Sequence, residues 1–337
     1  MNSNNRDRKL PGSYTSRPAT IADAGAATEM FNACSLALVG VKEHDEDKTQ
    51  VEWTTPGFCI ETDTLLVISP SGEIVGCEEV WDEKPHVRVG SWGRVHPAFQ
   101  GKGIGRFLLT WAEDRSRLAV DKAPAEARVA LVHSVDDENK PAQSLLADLG
   151  FALSRHFWRM IIDMDEEPAA ASWPSGTSVR TFAPGRDDRS LGKAMMDAFQ
   201  DHYGYVETPF EEELARWRHR MGRDKDFDPS LWFLAVEGDE IVGASLCYSK
   251  TSEDPNMGYV HTLGVGRNWR RRGIALALLH HSFGALYGRG KASVSLHVDS
   301  ESLTGATELY TKAGMHVDRL SHAYEKELRP GIELARR

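Results

Sequence analysis

The sequence predicts an α/β protein made of two tandem domains, each with a mixed sheet. Three observations predict it. At 337 residues the chain is about twice the common domain size. An acidic, then alanine-rich stretch punctuated by Pro168 and Pro174 divides it near the middle. Finally, both halves run through the same order of strand-like and helix-like segments, the kind of internal repeat that reads as a duplicated unit. The expected boundaries are a flexible tail over 1–12, a first domain over 13–163, a linker over 164–176 and a second domain over 177–330.

In the first half, YTSRPA reads as a short strand leading into a helix over 22–38. TLLVISPSGEIVGCEEV reads as two strands joined at Ser71-Gly72, because β-rich runs flank a turn pair. VRVGSWGRV is a third apolar strand, followed by a glycine-rich turn. The helix GRFLLTWAEDRSRLA comes next, with Phe107, Leu108, Trp111 and Leu118 on one stripe. RVALVH is a strand, KPAQSLLADL a helix, and FALSRHFWRMIIDM a closing strand or hairpin. The second half repeats the order with TSVRTF, the helix RSLGKAMMDAFQDHY, and a strand pair turning at Glu237-Gly238-Asp239. GYVHTLGV, the helix RGIALALLHHSFGALYG, SVSLHV, the helix TGATELYTKA and the strands of MHVDRLSHAYEKEL complete it. Early hairpins followed by helical crossovers imply a sheet with both antiparallel and parallel pairs.

Composition excludes several function classes. With 41% hydrophobic and 27% charged residues the chain is ordinary and globular. No apolar run approaches the roughly 20 residues a membrane span needs, and the polar start carries no secretory signal, so a cytoplasmic protein with no membrane partner is expected. A formal charge of −10 disfavours nucleic acid as a partner. Cys34, Cys59, Cys77 and Cys247 form no CxxC pair, which points to reduced thiols and no metal. His280 and His281, being adjacent, face different sides of a helix and cannot share a metal.

The strongest signal is the turn before each long helix. It reads Gln100-Gly101-Lys102-Gly103-Ile104-Gly105 in the first half and Arg270-Arg271-Arg272-Gly273-Ile274-Ala275 in the second. The exposed amides of a helix start carry partial positive charge and suit an anion; glycine or alanine lets a diphosphate approach the backbone, and arginines add charge-assisted contacts. A second pattern, Ala-x-x-Leu-(Leu/Tyr)-x-x-x-Gly, recurs at Ala142 to Gly150 and Ala306 to Gly314, in the same order. A dinucleotide-binding turn is disfavoured because this turn follows the fourth strand of its unit, and a Walker A loop because neither turn carries Gly-Lys-Ser/Thr.

These residues resemble the pyrophosphate-binding signature of the GNAT N-acetyltransferase superfamily, and the tandem arrangement resembles its mycothiol-synthase-like group. The resemblance implies two GNAT domains that take acetyl-CoA as cosubstrate, and direct attack of an amine on the thioester. It implies a tyrosine at the fifth position of the second pattern as the acid that protonates the leaving thiolate. Tyr310 stands there in the second half and Leu146 in the first, so the C-terminal copy is expected to be catalytic and the N-terminal copy silent, though able to hold a coenzyme. Leu263 and Val265 are the expected carbonyl binders on the fourth strand.

His261, opposite Ser91 in the repeat, is a candidate base because imidazole titrates near neutrality, with an ordinary strand histidine as the alternative reading. Asp201, His202 and Tyr203, with Glu207, Glu211, Glu212 and Glu213, could attract a cationic acceptor or form a solvated acidic face. Ser302 stands where an asparagine is more usual, and the fourth strand carries no glutamate, which bears on the mycothiol precursor as acceptor. The expected function is acetylation of a primary amine of a small molecule. The alternatives are a non-catalytic acetyl-CoA-binding protein and a protein N-acetyltransferase. Two halves pairing internally would suit a monomer.

Overall fold

The computed structural model describes residue 10, residues 12–302 and residues 304–336. The expected tail over 1–12 therefore lies outside the described residues, apart from Leu10 and Gly12. The first half contains β1 (Thr15–Arg17), α1 (Ala24–Val39), α2 (Glu46–Trp53), α3 (Ile60–Asp63), β2 (Thr64–Ile68) and β3 (Ile74–Trp81). It continues with β4 (Arg88–Val95), α4 (Ile104–Ser116), β5 (Val129–Asp136), α5 (Lys140–Asp148) and β6 (Ala152–Asp163). The second half contains β7 (Thr177–Thr181), α6 (Asp188–Phe199), α7 (Phe210–Arg223), β8 (Trp232–Glu237) and β9 (Glu240–Tyr248). β10 (Met257–Val265), α8 (Ile274–Tyr287), β11 (Ser293–Asp299), α9 (Ala306–Lys312) and β12 (His316–Arg329) follow.

The chain divides into two compact units, and neither coincides with one half of the sequence. Unit 1 takes the residues up to Arg155 together with Ser321–Ala335; unit 2 takes His156–Leu320 with Arg336. In unit 1 the strands run β1-β2-β3-β4-β5-β12, antiparallel except for the parallel β4–β5 pair, with Ser321 to Arg329 pairing along β5. In unit 2 the order is β6-β11-β10-β9-β8-β7, with β10–β11 parallel and the part of β6 from Phe157 to Asp163 pairing antiparallel with β11. Each unit is thus completed by a strand from the other half of the chain.

Side chains explain why these strands are held. From β6, Met160 (1% exposed) packs with Leu296, Val294 and Phe283 in the core of unit 2. From β12, Ala323 and Tyr324 are buried in unit 1, and the Lys326 ammonium donates to Glu113 (2.6 Å) and the Leu149 carbonyl (2.7 Å). The Arg329 guanidinium donates to the carbonyls of Val120 and Ala127. Burial of a large apolar side chain contributes roughly 1.5–3 kcal/mol, so a few such residues suffice to fix a terminal strand.

The long helices behave as their sequences require, with one exception. α4 buries Leu108 and Leu109, and α8 buries Leu278, Leu279, Phe283 and Leu286 under the sheet. Leu118, expected on the α4 stripe, lies past the helix end at Ser116 and is 56% exposed. α5 starts where Asn139 accepts a hydrogen bond from the Ala142 amide, with Pro141 in the first turn, where it lacks no needed donor. α7 places Glu211, Glu212 and Glu213 at its start and Arg220 and Arg223 at its end, which complements the helix dipole. All four cysteines are free thiols, with Cys59 exposed and the rest buried.

Candidate functional site

Both parallel strand pairs open at one end. In unit 2, β10 pairs with β11 only from Met257 to Tyr259, and in unit 1, β4 pairs with β5 only from Arg88 to Ser91. Beyond those points the strands are no longer paired, and a cavity lies at each opening. The unit 2 cavity, about 380 Å³, is bounded by Leu263, Gly264 and Val265 of β10, the start of α8, and Leu309 and Tyr310 of α9. The unit 1 cavity, about 470 Å³, is bounded by Gly93 to Val95, the start of α4, Asn139 and Leu145. Every sequence-predicted coenzyme residue of the second half except Arg272 lines the first cavity, and every one of the first half except Lys102 lines the second.

The glycine turns have the same geometry. Gly103 and Gly273 precede their helices in the left-handed region, at φ +84° and +90°, and a side chain added at Gly273 would meet nothing within 4 Å. A coenzyme diphosphate could therefore reach the first helical amides unobstructed. Two residues earlier, the turn again demands a left-handed residue. Gly101 supplies it at φ +72° in unit 1, whereas Arg271 adopts φ +64° in unit 2. A non-glycine residue there costs about 1–2 kcal/mol.

The three arginines divide their roles. Arg270 donates to Asp201 (2.6 Å), to the Ala198 carbonyl (2.9 Å) and weakly to the Val265 carbonyl, so it ties the end of α6 to the end of β10. It is not an open phosphate ligand. Arg272 is exposed and donates to the Asn268 carbonyl (3.0 Å). Arg271 has no ion pair among the described residues, and its guanidinium lies by Gly305 on the cavity wall.

Tyr310 is 7% exposed, and burial pushes its phenol up to about 12, so it stays protonated at neutral pH. His261 has a different setting. It is the extra residue of a bulge in the β9–β10 pairing, exposed, with Nδ1 2.8 Å from the Thr262 hydroxyl and its ring against Tyr248 and Tyr259. It is not among the residues lining the cavity. The imidazole that does line it is His202, half-buried after α6, whose pKa is lowered by burial and then by the Arg270 charge. Both effects favour the neutral imidazole, the state a base requires. Its neighbour Asp201 is engaged by Arg270, and Tyr203 packs near Phe157. The sequence placed His202 in the acceptor region but gave no sign that the chain folds it onto this cavity.

Unit 1 differs at the same places. Its β3–β4 pairing runs from Gly76–Val95 to Trp81–Gly90 without a bulge, and Leu146, at the Tyr310 position, is fully buried. Among the described residues, no cluster of three or more His, Cys, Asp or Glu is arranged to hold a metal ion, and no helix is long and apolar enough to cross a membrane.

Comparison with known proteins fits this geometry. The Acetyltransferase (GNAT) family pattern matches residues 27–151 and 189–315. A mycothiol acetyltransferase of Thermobispora bispora is 30% identical over 228 residues, covering 65% of this chain and 70% of its own length. One from Streptomyces scabiei is 28% identical, covering 78% and 79%. Among solved structures, a GCN5-related N-acetyltransferase from Sphaerobacter thermophilus superposes with a TM-score of 0.78 at 36% identity, over 97% of this chain and 99% of its own. A tandem GNAT protein from the clavulanic acid biosynthesis pathway shares the fold, with a TM-score of 0.69 at 16% identity over 95% of this chain and all of its own.

Proposed function

The chain belongs to the acetyltransferase (GNAT) family, and we propose that it moves the acetyl group of acetyl-CoA onto a primary amine of a small molecule, with unit 2 as a site of transfer. The observation that carries this reading is the meeting of three features at one cavity. These are the open helix start at Gly273, the end of β10 at Leu263 to Val265, which pairs with β9 but not with β11, and the buried, protonated hydroxyl of Tyr310.

The diphosphate would lie against the amides of Gly273, Ile274 and Ala275, with Arg271 as the cation on that wall. The thioester would extend toward the edge of β10 that β11 leaves open, where the amides of Leu263 and Val265 would receive the carbonyl oxygen as it gains charge. His202 would take a proton from the ammonium form of the acceptor, the free amine would attack, and Tyr310 would protonate the departing sulfur and recover its proton from the nitrogen of the adduct. The strained Arg271 backbone, left-handed where unit 1 has Gly101, supports a ligand role.

The relatives named as mycothiol acetyltransferases support a small-molecule acceptor over a protein lysine. Ser302 and the lack of a β10 glutamate count against the mycothiol precursor itself. Release of coenzyme A thiol, measured with acetyl-CoA against a panel of primary amines and amine-bearing peptides, tests the reading. Amine-dependent thiol release with small amines is expected. Release with peptides alone would favour protein acetylation, and tight acetyl-CoA binding without turnover would favour a regulatory binding protein.

A further inference from the structure

We propose that unit 1 contains a second acyl-transfer site, in which the Glu78 carboxylate receives the ammonium group of an acceptor amine and takes its proton. The proposal rests on the reading that these glycine turns hold a coenzyme A thioester. It departs from the expectation that the N-terminal copy is silent, which weighed only Leu146 and Ser91. The residues that matter come from β3 and β5 and are brought together only by the sheet.

Glu78 lies on β3, is 2% exposed and lines the 470 Å³ cavity, yet its Oε1 has no hydrogen-bond partner among the described residues. A buried carboxylate oxygen without a donor is costly unless something else satisfies it. His133 of β5 stands beside it, with Nδ1 3.5 Å from Glu78 Oε1 and 2.8 Å from the Ser91 hydroxyl of β4. The first distance is too long for a good hydrogen bond, so the imidazole is committed to Ser91 and leaves the carboxylate open. Gly93, directly across from Glu78 in the β3–β4 register, makes the room: a side chain there would come within 1.8 Å of Glu78 Oε2.

The other charges around the cavity do not neutralise Glu78. Arg94 pairs with Asp136 at 3.1 Å and lies over the Trp92 ring, and Arg106 faces Asp148. Glu138 adds a further carboxylate to the lining. One end of this cavity is therefore the amide-lined start of α4, suited to a diphosphate, and the other is an open anion suited to a cation.

The chemistry balances without a tyrosine. An alkylammonium gives one proton to Glu78, and the amine lone pair forms the N–C bond to the thioester carbonyl. As that adduct collapses the C–S bond breaks, and the second nitrogen proton passes to the departing sulfur. The products are an amide, coenzyme A thiol and one proton, held first by Glu78 and then released to water. Leu146 at the acid position is compatible with this route. His133 is a positioning residue here.

Two measurements on the full chain test it. In a Tyr310→Phe background, amine-dependent thiol release should persist and fall at least 100-fold when Glu78→Gln is added, with acetyl-CoA affinity unchanged. Calorimetric titration of n-butylammonium chloride into the coenzyme A-saturated protein should show binding that Glu78→Gln removes and His133→Asn only weakens. Turnover abolished by Tyr310→Phe alone, or residual turnover indifferent to Glu78→Gln, would overturn the second site. If no amine turns over in the wild type, the reading of unit 2 fails, and Glu78-independent butylammonium binding would then overturn this proposal separately.

Discussion

Replacing Arg271 with glycine should move stability and coenzyme affinity in opposite directions. Arg271 occupies the left-handed region at φ +64°, at the turn position where unit 1 has Gly101 at φ +72°. The left-handed conformation costs a non-glycine residue about 1–2 kcal/mol, and glycine costs about 0.5–1 kcal/mol of extra chain entropy on folding. The difference predicts that Arg271→Gly stabilises unit 2 by up to about 1.5 kcal/mol, or up to about 3–6 °C in its melting temperature. Loss of one charge-assisted contact to a coenzyme phosphate costs about 1.5–3 kcal/mol, so the dissociation constant for acetyl-CoA should rise by about 10- to 150-fold, with a weaker salt dependence. Calorimetry at two salt concentrations and thermal denaturation give both readouts on one variant. Unchanged affinity would remove Arg271 from the coenzyme site, and a lower melting temperature would refute the account of its strain. The converse Gly101→Arg should destabilise unit 1.

The Glu79 carboxyl, pushed up to about 8 by burial and by nearby Glu52 and Glu78 despite the Trp53 indole donating to it at 2.7 Å, titrates far above its ordinary value near 4.5. Its folded value exceeds its unfolded one, so its contribution to stability is complete below pH 4.5 and is lost as pH rises through 8. The loss reaches at most ~5 kcal/mol, and Glu79→Gln should flatten that part of a denaturation-versus-pH curve. Because the His202 pKa lies below the usual imidazole value, kcat/KM should stay level above pH 6.5 and fall only on further acidification; His202→Asn should abolish that limb, and His261→Asn should leave it. Met160→Ala, although in the first half of the sequence, should cost about 2–5 kcal/mol in unit 2, seen as faster amide exchange in α8 with α4 unchanged.

The repeat was legible because its signals are local. Glycine before a helix, the period of apolar residues in α4 and α8, and the Ala-x-x-Leu pattern of α5 and α9 each depend on neighbours within a few residues. The glycine turns before α4 and α8 could thus be read directly. What escaped depends on partners far apart in sequence. β6 and β12 are alternating strands whose composition does not say which sheet receives them, so the division at the 164–176 linker differs from the units the chain forms. Glu78 and His133 are 55 residues apart and belong to strands read as plain core, so no spacing announced their meeting. His261 drew notice by its strand position, but the bulge after Val260 carries it away from the lining, while His202 enters from the end of α6. α2, short and polar on most positions, gave no apolar period to detect.

The central claim, that unit 2 transfers acetyl groups with Tyr310 as the acid, is tested most directly by the single-turnover rate of Tyr310→Phe in a Glu78→Gln background. That background leaves unit 2 as the remaining site, and phenylalanine keeps the packing of the 7% exposed ring while removing the hydroxyl. General acid catalysis contributes about 10²- to 10⁴-fold, so the rate with an accepted amine should fall by that order while acetyl-CoA affinity stays within about twofold. An unchanged rate would make Tyr310 a packing residue and contradict the account.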